Sequence, residues 1–165
     1  MLSKSLTLTA AVGIAVTGIG AGALVGAGSA SGATPLCQAS QLVPSFERSE
    51  GAAGTFYDTW QLINVGGRCH TRGWVGALNF GPDGRPLPTS LHRTAGPSHT
   101  VVLAHGKHAS WTFGYTDPGV LNCKPQNAVS MIITPPDSRL PVLAHRGERA
   151  CKGILKYESP LVLGG

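Results

Sequence analysis

Charge is scarce in this sequence. Only 13% of its 165 residues are Asp, Glu, Lys or Arg, and the acidic ones number eight. Those eight are spread out, and only Glu47 and Glu50 come close together. Positions three apart on a strand point to opposite faces, which makes them a poor acid–base pair. Methionine is rarer still, at two. Met131 is the one beyond the N-terminal segment, so a thioether-rich copper(I) site has no ligands. Helical periodicity is missing after Ala33, and glycine-rich phosphate loops, which need a following helix, have nowhere to form. Gly-x-Ser-x-Gly is absent, as is Ser-x-x-Lys beyond the N-terminal segment, so no familiar hydrolase nucleophile is present.

The positive charges do not compensate by clustering. The formal net charge is +5, yet the basic residues are scattered from Arg48 to Lys156, with a loose group at Arg146, Arg149 and Lys152. Nucleic-acid readers concentrate charge along one element and interleave aromatics. This sequence does neither, and no nucleic-acid partner is expected.

What is present begins with a leader. Met1 to Lys4 is positive, Ser5 to about Gly28 is uncharged, and Ser29-Ala30-Ser31-Gly32-Ala33 is small. A positive start, an apolar core and a small-x-small site make a secretory signal peptide over 1–33, cleaved after Ala33. No twin arginine occurs. Thr34-Pro35-Leu36 lacks the small residue that lipidation requires before Cys37. The remaining chain, 34–165, is expected to be one secreted, extracellular domain with no stable membrane insertion, long enough to bury a core.

Short alternating runs fill that domain. "SQLVPSFERS" carries a proline and reads as an edge strand. "TFYDTWQLINV" is dense in aromatic and β-branched residues and is the best strand. "GWVGALNF", "HTVVLA", "HASWTFGYT", "AVSMIIT", "RLPVLAH" and "GILKYESPL" follow, separated by turn signals such as "GAAG" and "GPDGRP". In "HASWTFGYT", Trp111, Phe113 and Tyr115 share one face at period two. Trp60 and Trp74 join them as candidate core aromatics. The pattern predicts an all-β antiparallel sandwich of about eight strands, immunoglobulin-like in class.

Four cysteines follow the leader: Cys37, Cys69, Cys123 and Cys151. Four allow three disulfide pairings in a secreted chain. The midpoint of Cys37 and Cys69 is residue 53, inside "GAAG", and that of Cys123 and Cys151 is residue 137, inside "PPDS". If each turn closes a hairpin, Cys37 meets Cys69 and Cys123 meets Cys151. His70 then neighbours a staple, and no free thiol remains for a Cys-His nucleophile.

The order of these features resembles the actinobacterial secreted and lipoprotein family known only as a domain of unknown function, number four-two-three-two. The matching stretches are Cys37, Gly54-Thr55, "LINVGGRC" with Leu62, Asn64, Gly66 and Cys69, then "RGWVG", "DGRPL" and "VVLAHGKHASW". Cys123, Pro135 and Cys151 complete the set. Trp74-Val75 departs from the family's more usual aromatic-proline. The resemblance implies an immunoglobulin-like sandwich outside the cytoplasm. It implies scaffold roles for the glycines and Asn64, which could hydrogen-bond backbone groups at the strand end. It carries no activity.

Three functions remain to weigh. The leading one is a secreted, non-enzymatic binding or surface-interaction module, monomeric and without cofactor, that meets an extracellular protein or cell-wall partner. Its contact loops would be 81–99 and 116–127, both long and rich in proline and glycine. A second is zinc or copper binding by His105 and His108, facing each other across a type II′ hairpin at Gly106-Lys107, with His99 or His92 as a third ligand. Lys107 in the turn and the lack of a nearby carboxylate to orient an imidazole oppose it. A third is an extracellular hydrolase with residues assembled from distant loops.

The leader generates the first prediction. Protein recovered from culture medium should have the intact mass of 34–165 with two disulfides. Full-length chain retained in the membrane fraction would contradict export.

Overall fold

The computed structural model describes residues 32–146, 148–151 and 154–164. The expected signal segment, 1–33, lies outside the described residues apart from its last two positions. Among the described residues no helix is long and apolar enough to cross a membrane. They hold one 3-10 turn, Ala39–Gln41, and thirteen strands.

The chain opens with a hairpin of β1 (Leu42–Ala52) and β2 (Thr55–Asn64). Its two turn residues, Ala53 and Gly54, both have positive φ, 49° and 76°. That is the type I′ geometry whose twist matches paired strands. β1 is a sheet edge, which is why Pro44 is tolerated there. A bulge between Phe46 and Arg48 shifts the register along that edge.

β2 pairs on its other side with β7 (His108–Thr116). Beyond β7 lies β12 (Ile154–Glu158), then β5 (Thr89–Arg93), and β13 (Val162–Leu163) extends the β12 side of β7. A second sheet orders β10 (Val142–Ala144), β9 (Ser130–Thr134) and β4 (Gly76–Phe80). Two short pairs join β3 (Cys69–Arg72) with β6 (Thr100–Leu103), and β8 (Gln126–Asn127) with β11 (Arg149–Ala150).

The fold is an all-β sandwich whose described residues form a main core cluster and a smaller one of Tyr115 with Phe56 and Leu87. Alternation along β2 and β7 turns Trp60, Leu62, Ala109, Trp111 and Phe113 inward. Val101, Leu103, Met131, Ile133 and Ala144 meet them from the other strands. Trp60 and Trp111 are register partners and stack at 6.3 Å between centroids, while the Phe46 ring meets Trp60 edge-on at 5.4 Å. Edge-to-face and offset contacts suit the ring quadrupoles. Trp60, Trp111, Phe113 and Tyr115 are buried and Trp74 is half-buried, so these five form no exposed aromatic row.

Two expectations need correction. Each of the eight runs read from the sequence holds a strand, but β3, β5, β8, β11 and β13 come in addition. Three of the additions are two residues long, too short to show a period. The sheets are also not wholly antiparallel, because β12 runs parallel to β5. A parallel neighbour needs a long crossover, and the whole stretch between β5 and β12 provides it.

The cysteines join Cys37 to Cys69 and Cys123 to Cys151, with Cα atoms 4.8 and 5.9 Å apart. The first bond lies at the open end of the β1–β2 hairpin, just beyond the pair Leu42–Asn64. The second closes the β9–β10 hairpin, which β8 and β11 prolong. Asn64, fully buried, pins the first of these ends. Its Nδ2 donates to the carbonyls of Gly67 and Leu103 at 2.9 and 3.0 Å, and its Oδ1 accepts from the Gly66 amide at 2.9 Å.

Removing the first staple should therefore be costly. Cys69→Ala is expected to lower stability by about 3.5 kcal/mol on loop entropy and to expose Cys37 to thiol reagents. Chemical denaturation with thiol labelling checks both. An unchanged denaturation midpoint would show that the bond does not constrain the fold.

Candidate functional site

The inward alternation of β2 continues past the apolar core. Trp60 is preceded on the same face by Asp58 and Phe56, so the strand carries a carboxylate into the end of the sandwich. Asp58 is 1% exposed. An ionised carboxylate placed there needs hydrogen bonds, and two hydroxyls supply them. Ser49, its register partner on β1, donates at 2.5 Å, and the Tyr115 phenol donates from β7. Phe56 and Tyr115 are themselves register partners, with centroids 5.6 Å apart.

Across from this sheet end lies the loop that follows β7. It is folded back on the β1–β2 turn: the Asp117 amide donates to the Gly54 carbonyl at 2.9 Å. A side chain at Gly54 would run into Val120, and its φ of +76° also favours glycine. Within the loop Gly119 donates to Asp117 Oδ1 at 2.8 Å, and Asn122 takes a left-handed conformation. The Cys123–Cys151 bond fixes its far end. Arg146 and Glu148, from the segment between β10 and β11, complete the ring.

Together these elements line an open cavity of about 590 Å³. Phe56, Tyr115, Pro118 and Pro125 give it apolar walls, while Asp58, Asp117, Glu148 and Arg146 give it charge. Glu148 is 3% exposed. The Arg146 guanidinium lies over the Phe46 ring, 3.5 Å from its centroid. Burial raises the Tyr115 phenol well above its ordinary range. The negative charges of Asp58 and Glu148 and the hydrogen bond to Asp58 add to the rise, and Arg146 acts in the opposite sense.

The loop 116–127, expected to be a contact surface, forms much of this wall. The other expected surface, 81–99, is only partly loop: it contains β5, an edge strand of the main sheet. The sequence reading missed Asp58 and Glu148 as site residues. Asp58 had a signal, since it stands in phase with Trp60 and Leu62. Glu148 had none, because it lies outside any strand.

The histidine pair does not take the arrangement expected of it. β6 pairs with β3 and β7 with β2, so His105 and His108 do not face each other across a strand pair. The turn is Ala104 to Lys107, closed by the Lys107 amide on the Ala104 carbonyl, with Gly106 third at φ +75°. Glycine in that position suits a type II turn, not the glycine-first type II′. His105 Nδ1 donates to the Gly66 carbonyl at 3.1 Å. Likewise His70, beside its disulfide, donates from Nδ1 to the Thr34 carbonyl at 2.7 Å and holds the incoming chain. Among the described residues no group of three or more His, Cys, Asp or Glu is placed to hold a metal.

Tyr115 gives the site a pH signature. Its folded state holds the proton more tightly than the unfolded chain, so its contribution to stability is intact below pH 10, the ordinary tyrosine value. Above that, the unfolded state loses the proton first and stability falls. The alkaline decline in melting temperature should be shallower in Tyr115→Phe. Identical slopes in the two proteins would show that the phenol is not held by its neighbours.

A family model described as "Domain of unknown function (DUF4232)" matches residues 37–157. No curated protein and no solved structure matches the chain.

Proposed function

We propose that this chain, which belongs to the DUF4232 family, acts as an exported, non-enzymatic binding domain whose ligand enters the cavity at the end of the sandwich. The cavity is the observation that carries this reading. Ligand sites are concave, largely apolar and furnished with a few placed polar groups, and this one has buried Asp58 and Glu148 between the rings of Phe56 and Tyr115 and two prolines. Its walls come from three separate parts of the chain, held by a disulfide and by the Asp117–Gly54 hydrogen bond. Such a site loses little freedom when it binds.

Export rests on the leader and is supported by the cysteines. Both disulfides belong to oxidising surroundings such as the extracellular space. The non-enzymatic part rests on chemistry. Asp58 is engaged by two hydroxyls, and among the described residues of the lining there is no histidine and no free thiol. The lining cysteine, Cys123, is oxidised.

The low-molecular-weight fraction of conditioned medium tests the reading. At about 100 times its Kd a ligand stabilises by about 2.7 kcal/mol, so that fraction should raise the melting temperature by several degrees. A Gly119→Trp variant, which fills the cavity, should not respond. Equal responses would place binding elsewhere. Turnover of an ester, peptide or glycan substrate, lost on mutating one cavity side chain, would make the protein an enzyme.

A further inference from the structure

Resting on the binding reading, we propose that the cavity selects an organic cation with a short apolar body, of the alkyl- or arylammonium class. Charge gives the first reason. The sequence as a whole is positive, at +5. Among the described residues the cavity lining reverses that sign, with Asp58, Asp117 and Glu148 set beside Arg146. A negative concavity in a positive molecule draws cations and repels anions, and low-dielectric walls strengthen its field. Asp58 and Glu148 are 1% and 3% exposed, so their field acts where water screens it least.

The walls give the second reason. Phe56 and Tyr115 stand side by side at 5.6 Å, offering ring surface to a cation. The molecule already uses this contact at the rim, where the Arg146 guanidinium sits 3.5 Å from the centroid of Phe46. Pro118, Pro125 and the disulfide-bonded Cys123 supply apolar surface for the rest of the ligand. A bare metal ion fits less well. It needs several oxygens at once, and Asp58 already accepts from Ser49 and Tyr115 while Asp117 accepts from Gly119. A diffuse ammonium charge needs no such stripping.

Three probes of similar size and different charge test the proposal: benzyltrimethylammonium, benzyl alcohol and phenylacetate. Each is titrated into the disulfide-bonded protein, followed by amide NMR shifts. Benzyltrimethylammonium at millimolar concentration should move the amides of Phe56, Tyr115, Gly119 and Asn122 saturably. Benzyl alcohol should bind about tenfold more weakly, and phenylacetate should leave these amides in place. Asp58→Asn should weaken the cation about tenfold, the effect of one nearby charge. Because that change could disturb the fold, the exposed Arg146 supplies a second variant. Arg146→Gln removes a cation of the lining and should tighten benzyltrimethylammonium by about threefold to fivefold. Phenylacetate binding as tightly as the ammonium probe would overturn the proposal. So would unmoved cavity amides at saturating solubility of the cation, or an Arg146→Gln protein that binds it more weakly. If the conditioned-medium fraction still stabilises the intact protein in those cases, the binding reading stands and the cation specificity falls alone.

Discussion

The register of β2 against β7 is the constraint on which the structure depends. Nine residue pairs, from Thr55–Thr116 to Ile63–His108, fix the two longest inner strands of the main sheet. Side chains alternate along a strand, so a slip of one residue exchanges its faces. Here a slip would turn Trp60 and Leu62 out to solvent and bring Tyr57, Thr59 and Gln61 in. The stacked pair Trp60–Trp111 penalises that slip most, since both indoles are buried and each meets a further aromatic ring. The same register delivers Asp58 beside Phe113 and Phe56 beside Tyr115. Core and cavity are therefore two lengths of one alternation, and neither can be repositioned without the other.

That shared alternation explains why the sandwich changes character along its length. In the middle the inward residues are Trp, Leu, Phe, Met and Ile, and close packing is sufficient. Toward the β1–β2 turn the same face carries Asp58, with Ser49 opposite and Tyr115 near. Burying a carboxylate is unfavourable unless hydrogen bonds replace its water. Ser49 and Tyr115 do so, but an apolar side chain at residue 58 would give a simpler interior. A carboxylate kept in phase with Phe56, Trp60 and Leu62 on the inward face of β2 is a departure from local consistency, and such departures concentrate at functional sites.

Much of the fold is legible in the sequence because its signals are local. "GAAG" marks a two-residue turn, and "TFYDTWQLINV" alternates cleanly. Each disulfide closes the open end of a hairpin whose turn is written in glycine or proline. The illegible parts depend on distant residues. Nothing in "TSLHR" announces β5, which is ordered by its parallel pairing with β12 more than sixty residues away. "HTVVLAHGKHASW" reads like a hairpin, but its two strands leave for different sheets, and local pattern does not distinguish a hairpin from a corner. The site divides in the same way. Asp58 is readable from its phase with Trp60, and the loop 116–127 from its prolines and glycine. Arg146 and Glu148 lie in irregular chain between β10 and β11, where no periodicity assigns a face.

On the binding proposed for the cavity, the staples bear on that role as well as on stability. A hairpin end left open beside the cavity would let the segment bearing Arg146 and Glu148 drift from Asp58. Cys123–Cys151 ties that segment's strand to the loop that faces the β1–β2 turn. Asp117 ties the other end of the loop to Gly54, and contact with Val120 keeps that glycine free of a side chain. The loop is thus anchored at both ends, stiffened by Pro118 and Pro125, and turned by a left-handed Asn122. Loops carry binding sites best when a rigid scaffold positions them. Here the scaffold supplies one wall directly, through β2 and β7, and holds the opposite wall at two covalently or hydrogen-bonded points. The conformational entropy of these walls is removed during folding, so contacts with the proposed ligand would not have to offset it.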